Sequence, residues 1–285
     1  MKFKKLFISS AVALSLMACS EKEPADFNAM TFNIRCPVES DSTNYWPNRA
    51  DYAADLIKFY DVDIVGLQEA TKGQIDDFLS RVPGISYIGV GRDDGAEKGE
   101  YCPILYKTDR FTLLDSGNFW LSETPDVPGA KGWDADYPRV ATWGIFRDND
   151  GGREFLYMNT HLDHIGPMAR REGAKMVLAK AFELSGKRPA LITGDFNSSP
   201  DQEPIRILLS DPEHKLLSAR DAAAFVYGPD RTFHDFGRIP YGNQQLIDYI
   251  FVKGPVKVES CGVLAEHKGD LYPSDHRPIL AKVEI

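Results

Sequence analysis

Asp195 and Asn197 are the two residues whose types and spacing most directly suggest chemistry. They follow the apolar run 189–193, which predicts a buried strand, and they precede a Ser-Ser-Pro turn. Side chains two residues apart in an extended chain point the same way. A carboxylate and a carboxamide at a strand end can hold an attacking water, a phosphate oxygen or a hard cation. The alternative interpretation is a strand-to-helix turn in which Asp195 only caps the helix.

Polar residues also end other predicted strands. Glu69 follows Ile-Val-Gly-Leu-Gln, where an acid is costly to bury unless it is paired or bound to metal. Asn33 lies near the end of the strand predicted over 29–34, and asparagine is disfavoured within strands, which indicates a partner or a turn. Each such residue alone has an ordinary structural explanation. It is improbable, however, that eight of them lie at strand ends or within apolar segments by chance. The other members of the set are His161, Asp248, Asp275 and His276.

This set of eight fits metal-assisted phosphoester hydrolysis. Glu69 and Asn33 offer the oxygen ligands that a hard divalent cation prefers. Asp195 is placed to act as the base for a water molecule.

Hydrogen-bond donors for the charge that develops on a phosphoryl group come from Asn197, His161 and His276. An imidazole flanked by a carboxylate is held in one tautomer and has a raised pKa. Asp248 can supply that carboxylate to His276. The sequence therefore provides candidates for each part of the reaction.

Regular elements must bring these side chains together. Their apolar periodicity predicts amphipathic helices over 47–60 and 166–184, and a long loop with aromatic residues over 119–138. Without a dinucleotide-binding glycine fingerprint, the alternation of elements predicts an α/β fold with two mixed sheets face to face and helices outside. Strands that end in site residues are predicted over 29–34, 63–69, 154–161, 189–193 and 245–252, with the last strand over 279–283.

The first residues have the features of an export signal. Three lysines precede an apolar segment that is too short to span a membrane. Leu16-Met-Ala-Cys19 resembles a bacterial lipobox, which implies cleavage after residues 1–18 and lipidation of Cys19. We therefore expect a tether over 19–27, a single domain over 28–285 and a lipid anchor at the cell envelope, on the outer membrane or the cell surface. An ordinary signal peptide with a chance cysteine is the alternative.

Composition limits the partners of the exported chain. Without the three signal lysines, 30 basic and 42 acidic side chains remain, a net charge of about −12. This disfavours nucleic-acid binding through bulk charge, although a metal in a cleft can reverse the local field. Three cysteines remain, Cys36, Cys102 and Cys261, which cannot all pair and lack the spacing of metal sites. We therefore expect them to be buried thiols. We also expect the protein to be a monomer.

Six segments resemble the motifs of the endonuclease/exonuclease/phosphatase (DNase I-like) superfamily, in the expected order across nearly the whole mature chain. The resemblance implies a four-layer α/β sandwich and an Mg²⁺-dependent phosphoesterase, with Mn²⁺ as the alternative cation. The segments are Thr31–Ile34, Leu67–Glu69, Asn159–Leu162, Gly194–Asn197, Ile247–Phe251 and Ser274–Pro278.

The resemblance also implies roles for single residues. Glu69 resembles the principal metal carboxylate, Asn33 its neighbour and Asp275 a second acid on the metal side. Asp195 resembles the residue that orients or deprotonates water. The remaining roles are phosphate ligands at Asn197 and His161, the catalytic histidine His276 with Asp248 as its partner, a phosphate-site arginine at Arg139, and an extra polar group, His164, at the substrate site.

The substrate is less well defined by the sequence. His161 replaces the tyrosine usual in abasic-site endonucleases, and the Asp275-His276-Arg277 segment lacks the tryptophan of inositol-phosphate 5-phosphatases. Export, acidic charge and the aromatic loop favour hydrolysis of a phosphomonoester or phosphodiester of a small molecule or glycan, such as a sugar or inositol phosphate. The alternatives are an extracellular nuclease and a non-catalytic lipoprotein that binds a phosphorylated ligand.

Overall fold

The computed structural model describes residues 25–285. The helices are α1 (Trp46–Phe59), α2 (Lys72–Arg81), α3 (Pro167–Ser185), α4 (Glu203–Ser210) and α5 (Ala219–Ala222), with 3-10 turns at Glu39–Asn44 and Tyr241–Asn243. The strands are β1 (Asp26–Asn33), β2 (Ile64–Gln68), β3 (Ile85–Ile88), β4 (Ile104–Lys107), β5 (Phe111–Trp120), β6 (Val140–Asp148), β7 (Glu154–His161), β8 (Ala190–Asp195), β9 (Leu217–Ser218), β10 (Phe225–Tyr227), β11 (Asp248–Lys253), β12 (Lys257–Val263) and β13 (Ile279–Glu284).

Within residues 25–285 these strands form two mixed sheets. One sheet has the order β10-β12-β13-β1-β2-β4-β3, and the other has the order β5-β6-β7-β8-β11-β9. The pairs β1–β2, β7–β8 and β10–β12 are parallel, whereas β1–β13 and β8–β11 are antiparallel. The predicted pair of mixed sheets is therefore confirmed.

Three apolar clusters hold four layers together. The central cluster lies between the sheets and joins side chains such as Phe27 and Ile64 to Phe155 and Leu191. A second cluster packs α1 and α2 on the outer face of the first sheet, and a third packs α3 and α4 on the outer face of the second. Burial of these apolar faces contributes roughly 25 cal/mol per Å² removed from water. The result is the predicted four-layer α/β sandwich with helices outside.

Most predicted elements agree with the structure to within one or two residues at each end. The helices predicted over 47–60 and 166–184 are Trp46–Phe59 and Pro167–Ser185. Strand β5 was not predicted, and Phe119 and Trp120 belong to its end rather than to the following loop. Cys102 and Cys261 are buried free thiols and Cys36 is a half-buried one.

The first strand begins at Asp26, two residues before the predicted start of the domain. The signal segment and Cys19 lie outside the described residues, so their processing and lipidation stay predictions. No helix within 25–285 combines the length and the apolar character that crossing a bilayer requires.

Candidate active site

Three neighbouring strands place an imidazole and two carboxylates side by side. His161 ends β7 and pairs with Asp195, the last residue of the parallel strand β8. Asp195 in turn lies opposite Asp248, the first residue of the antiparallel strand β11. Directly paired residues project from the same face of a sheet, so the three side chains share one edge of the second sheet. All three are buried.

The first sheet contributes Asn33 and Glu69 from the ends of β1 and β2. The amide of Asn33 donates to Glu69 Oε1 at 3.1 Å and to Asp195 Oδ2 at 3.0 Å, and so connects the two sheets. Its Oδ1 accepts the backbone N–H of Arg35 at 3.0 Å. Asn33 therefore lies behind the two acids, and its predicted role as a metal ligand stays a prediction.

The loop before β13 brings a hydrogen-bonded acid–imidazole pair to the same edge. His276 Nδ1 lies 2.8 Å from Asp248 Oδ2, and His276 Nε2 lies 3.8 Å from Asp195 Oδ2. Asp275 projects toward the first sheet, where its Oδ2 is 3.9 Å from Arg35 Nε. His276 therefore lies between two acids. Its Nδ1 is hydrogen-bonded to Asp248, and its Nε2 faces Asp195, the predicted base.

Asn197 is fixed in one orientation by two acceptors. Its Nδ2 donates to the backbone carbonyl of Leu162 at 3.0 Å and lies 2.9 Å from His161 Nε2. Since Nδ2 faces the carbonyl, it also donates toward Nε2 of His161, which lies 3.5 Å from Asp195 Oδ2 as well. Direct donation from His161 to a phosphate needs a proton on Nε2, so that predicted role stays a prediction.

Arg139 and His164 form a polar group at the cavity wall. Arg139 Nε donates to Asp163 Oδ2 at 3.2 Å, and its Nη2 donates to His164 Nδ1 at 3.0 Å. Asp163 also accepts the backbone N–H groups of Ile165 and Gly166, which begin the turn into α3. The arginine is thus buried and oriented by a carboxylate that is itself fixed, whereas His164 faces the opening.

These groups surround one cavity of ≈ 610 Å³, which is within the range of small-molecule sites. Asn33 and Asp248 support it from behind, and the other eight predicted site residues line it. They are Glu69, Arg139, His161, His164, Asp195, Asn197, Asp275 and His276. Tyr137, from the predicted aromatic loop, also lines the cavity. The sequence pattern did not indicate the remaining lining residues, namely Arg35, Cys36, Arg92, Glu100, Phe233, Asp235, Gln245 and Ile247.

Burial and neighbouring charges set the protonation states of the site. Burial, followed by the charge of Asp248, raises the pKa of Asp195 to about 7. Burial lowers the pKa of His276, but the charge and hydrogen bond of Asp248 outweigh it and raise that pKa to about 10. Burial and the charges of Arg139 and Arg92 hold the pKa of His161 well below its usual value. At neutral pH the site therefore pairs a charged His276 with a neutral His161.

Backbone strain also occurs at this edge of the fold. Arg35, Glu69 and Asn197 have φ values of 55°, 58° and 45°, in the left-handed region. Asparagine tolerates this region, but for glutamate and arginine it costs of order 1–3 kcal/mol each. In this conformation Glu69 Oε1 accepts a hydrogen bond from the Asn33 amide at 3.1 Å, and Oε2 accepts one from the backbone N–H of Cys36 at 3.2 Å.

Two groups of residues fit a divalent cation chemically. Glu69 and Asp275 offer oxygen atoms to the cavity, and the Arg35 guanidinium lies 3.9 Å from both carboxylates, so this place already stabilises positive charge. Asp195, Asp248 and His276 place one ligand atom each within 4.8 Å of one another. The close His276–Asp248 hydrogen bond suits the second group to holding a proton, and the metal role of Glu69 and Asp275 stays a prediction.

The fold is that of the endonuclease/exonuclease/phosphatase family. The chain belongs to this family, whose sequence model, described as Endonuclease/Exonuclease/phosphatase family, matches residues 30–276. Its members are phosphoester hydrolases, including nucleases and phosphatases, and are generally dependent on divalent metals.

The chain is similar to several bacterial structures over almost its whole length. An endonuclease/exonuclease/phosphatase from Bacteroides vulgatus is 44% identical, with a TM-score of 0.89, and the match covers 92% of this chain and 99% of that one. A mannosyl-6-phosphatase from Bacteroides thetaiotaomicron is 38% identical, with a TM-score of 0.83 and coverage of 90% and 99%.

The similarity to curated proteins is more partial. The CCR4-Not complex 3'-5'-exoribonuclease subunit Ccr4 of Candida albicans is 24% identical, and the match covers 93% of this chain and 42% of that protein. The chain spans between 26% and 59% of the length of the first curated relatives that it matches.

Proposed function

We propose that this chain is an exported, Mg²⁺-dependent phosphoesterase that hydrolyses the phosphate ester of a small or glycan-borne sugar or inositol compound. The observation that carries the proposal is the bounded cavity. The predicted phosphate site lies in it, while Arg92 and Arg139 in its wall are already paired with Glu100 and Asp163, at 2.6 and 3.2 Å. Such a wall carries little net positive charge with which to bind a second phosphate, but it offers polar groups that can form hydrogen bonds with hydroxyls.

In this proposal Asp195 accepts a proton from the attacking water. Its raised pKa suits a general base near neutral pH, and the backbone N–H of Asn197, 2.8 Å from Asp195 Oδ1, orients the carboxylate. His276 carries the positive charge that stabilises negative charge on the phosphoryl group, and Asp248 keeps it protonated. Asn197 presents its carboxamide beside them.

The metal part of the proposal rests on Glu69 and Asp275. Their oxygen atoms would hold Mg²⁺, with Asn33 orienting Glu69 through its 3.1 Å hydrogen bond. The cation supplies charge neutralisation for a phosphate oxygen when it is bound. Mn²⁺ also prefers such oxygen ligands and is the alternative.

Similarity supports the phosphatase side of the proposal. The mannosyl-6-phosphatase is 38% identical over 90% of this chain, far above the 24% identity to Ccr4. The Ccr4 similarity favours a nuclease as the second candidate. Against it stand the acidic balance of the chain and the pairing of the wall arginines. A non-catalytic phospholigand-binding lipoprotein is the third candidate.

A hydrolysis panel with the purified chain and Mg²⁺ tests the proposal. The panel contains plasmid DNA, RNA, sphingomyelin, bis-p-nitrophenyl phosphate, and sugar and inositol phosphates. We expect phosphate release from the sugar or inositol compounds. Nicking of DNA at a comparable rate would establish the nuclease instead, and binding without turnover in Mg²⁺ or Mn²⁺ would establish the binding protein.

Export and anchoring form a separate part of the proposal. The lipobox-like segment ending at Cys19 supports a lipid anchor at the cell envelope, and six residues separate this cysteine from the first strand at Asp26. Metabolic labelling with palmitate, compared with a Cys19→Ala chain, tests it. Labelling that persists in the Cys19→Ala chain would contradict the assignment.

A further inference from the structure

The loop over 92–100 is closed at its base by an arginine–carboxylate pair. Arg92 Nη1 and Nη2 donate to the two carboxylate oxygens of Glu100 at 2.6 and 3.0 Å, and Arg92 N donates to Glu100 O at 3.0 Å. The indole N–H of Trp120 donates to the carbonyl of Arg92 at 2.7 Å. Both side chains line the cavity. The pair is therefore a fixed, planar part of the cavity wall.

Two buried N–H groups in this wall are without partners. Arg92 Nε and Arg139 Nη1 have no hydrogen-bond acceptor among residues 25–285, although the residues are only 8% and 4% exposed. A buried unpaired N–H costs about 1–3 kcal/mol. Neither nitrogen has appreciable solvent-accessible surface, so a ligand meets this part of the wall at the Glu100 carboxylate. The side chain of Glu100 is 23% exposed, and each of its oxygens has lone pairs beyond the one used by Arg92.

The charge of this wall excludes a second phosphate group. Arg92 is neutralised by Glu100 through two hydrogen bonds, and Arg139 is neutralised by Asp163. A further anionic group on the substrate would meet the Glu100 carboxylate at close range. A hydroxyl group carries no charge, and it both donates and accepts hydrogen bonds. Neighbouring hydroxyls therefore match a surface that offers two carboxylate oxygens as acceptors.

We propose that Glu100, held in place by Arg92, forms a subsite for vicinal hydroxyl groups of the sugar that carries the scissile phosphate. The inference rests on the proposed function and assigns the residues that select its substrate. The two carboxylate oxygens of Glu100 accept from the hydroxyls, and the guanidinium of Arg92 holds that carboxylate in place. Tyr137 covers the guanidinium of Arg92 at 5.0 Å and stacks on His164 at 6.0 Å, which holds the subsite at the cavity mouth.

The test compares two substrates in wild-type and Glu100→Gln protein. Mannose 6-phosphate has vicinal hydroxyls, whereas p-nitrophenyl phosphate has none and reports the phosphate chemistry alone. We expect the ratio of their kcat/KM values to fall roughly 10- to 100-fold in Glu100→Gln, through KM for the sugar, as for the loss of hydrogen bonds to a charged group. Glu97→Gln, an exposed acid of the same loop that does not line the cavity, should leave the ratio unchanged.

A second variant protects the test against misfolding. Arg92→Lys retains the charge but loses the two-point contact to Glu100, and we expect it to change the ratio in the same direction. Equal losses for both substrates in both variants would overturn the subsite, and so would an unchanged ratio. If wild-type protein hydrolyses p-nitrophenyl phosphate but not mannose 6-phosphate, the subsite is refuted. If it hydrolyses no phosphate ester, the proposed function itself has failed.

Discussion

His276 donates through Nδ1 to Asp248 Oδ2 at 2.8 Å, while its Nε2 lies 3.8 Å from Asp195 Oδ2. One imidazole therefore lies between two acids that differ in role. Asp248 is buried behind it, and Asp195 faces the cavity. The charge of Asp248 raises the pKa of Asp195 and that of His276. One buried carboxylate therefore sets the protonation of both the proposed base, Asp195, and the charged imidazole, His276.

The pH–rate profile should report this arrangement. The proposed mechanism needs ionised Asp195 and protonated His276, so we expect the rate to rise with pH through about 7 and to fall again through about 10. In Asp248→Asn the charge that raises both pKa values is gone. Both limbs should therefore move to lower pH, and the rate at neutral pH should fall by about 10²–10⁴-fold. Limbs that stay in place would contradict the tuning role of Asp248.

Asp195→Asn should remove activity while leaving the fold intact. The asparagine keeps the shape of the side chain but cannot take a proton from water, so we expect kcat to fall about 10²–10⁴-fold. The measurement is hydrolysis of p-nitrophenyl phosphate, with circular dichroism to confirm folding. Asp201→Asn, an exposed residue six positions later, is the matched control. An Asp195→Asn protein with wild-type turnover would refute the assignment of the base.

Glu69→Gln should change the dependence on Mg²⁺ rather than the pH profile. A neutral amide is a weaker ligand for a hard cation than a carboxylate, so the Mg²⁺ concentration for half-maximal rate should rise. Calorimetric titration with Mg²⁺ gives a second readout that needs no substrate. The comparison with Asp248→Asn separates the two candidate cation groups. If Asp248→Asn abolishes Mg²⁺ binding and Glu69→Gln does not, the cation belongs to the Asp195–Asp248–His276 group.

The parts of the site that could be predicted from sequence share one feature. Glu69, His161 and Asp195 each end a short apolar run, and the strand pattern alone indicates that such a group lies at a sheet edge. The layered fold follows from the same runs and from the periodicity of α1 and α3. The local sequence pattern was sufficient to predict these site residues because strand pairing brings the strand ends that carry them to one side of the sheets.

The parts that were missed depend on contacts distant in sequence or on irregular backbone. Strand β5 contains Asp115, Ser116 and Gly117 and a bulge after Leu113, which together resemble a turn more than a strand. Arg92 and Glu100 belong to a polar loop whose ordering depends on their ion pair and on hydrogen bonds such as that from the distant Trp120 to the Arg92 carbonyl. One signal was available in the sequence for Arg35, since it is a charged residue two positions after Asn33.

Arg49 holds together the segments that carry the site, and its replacement should destabilise the protein strongly. The side chain is 0% exposed. Its guanidinium donates only to backbone carbonyls, those of Asn44, Ile34, Pro273 and Arg35, at 2.7, 2.6, 3.0 and 2.8 Å. These carbonyls belong to the loops after β1 and before β13. Arg49→Met leaves four acceptors without this donor, and we expect a loss of roughly 3–5 kcal/mol in the free energy of unfolding.

Urea denaturation measures this loss, and Arg49→Lys is the informative companion variant. Lysine keeps the positive charge but cannot reach four carbonyls with a planar fork. If the charge were the important property, Arg49→Lys would be nearly as stable as wild type. If the hydrogen-bonding geometry is important, as the four carbonyl contacts indicate, Arg49→Lys should be destabilised nearly as much as Arg49→Met. Because Asn33 and Asp275 lie beside the segments that Arg49 joins, the surviving folded fraction of Arg49→Lys should also need more Mg²⁺ for half-maximal rate.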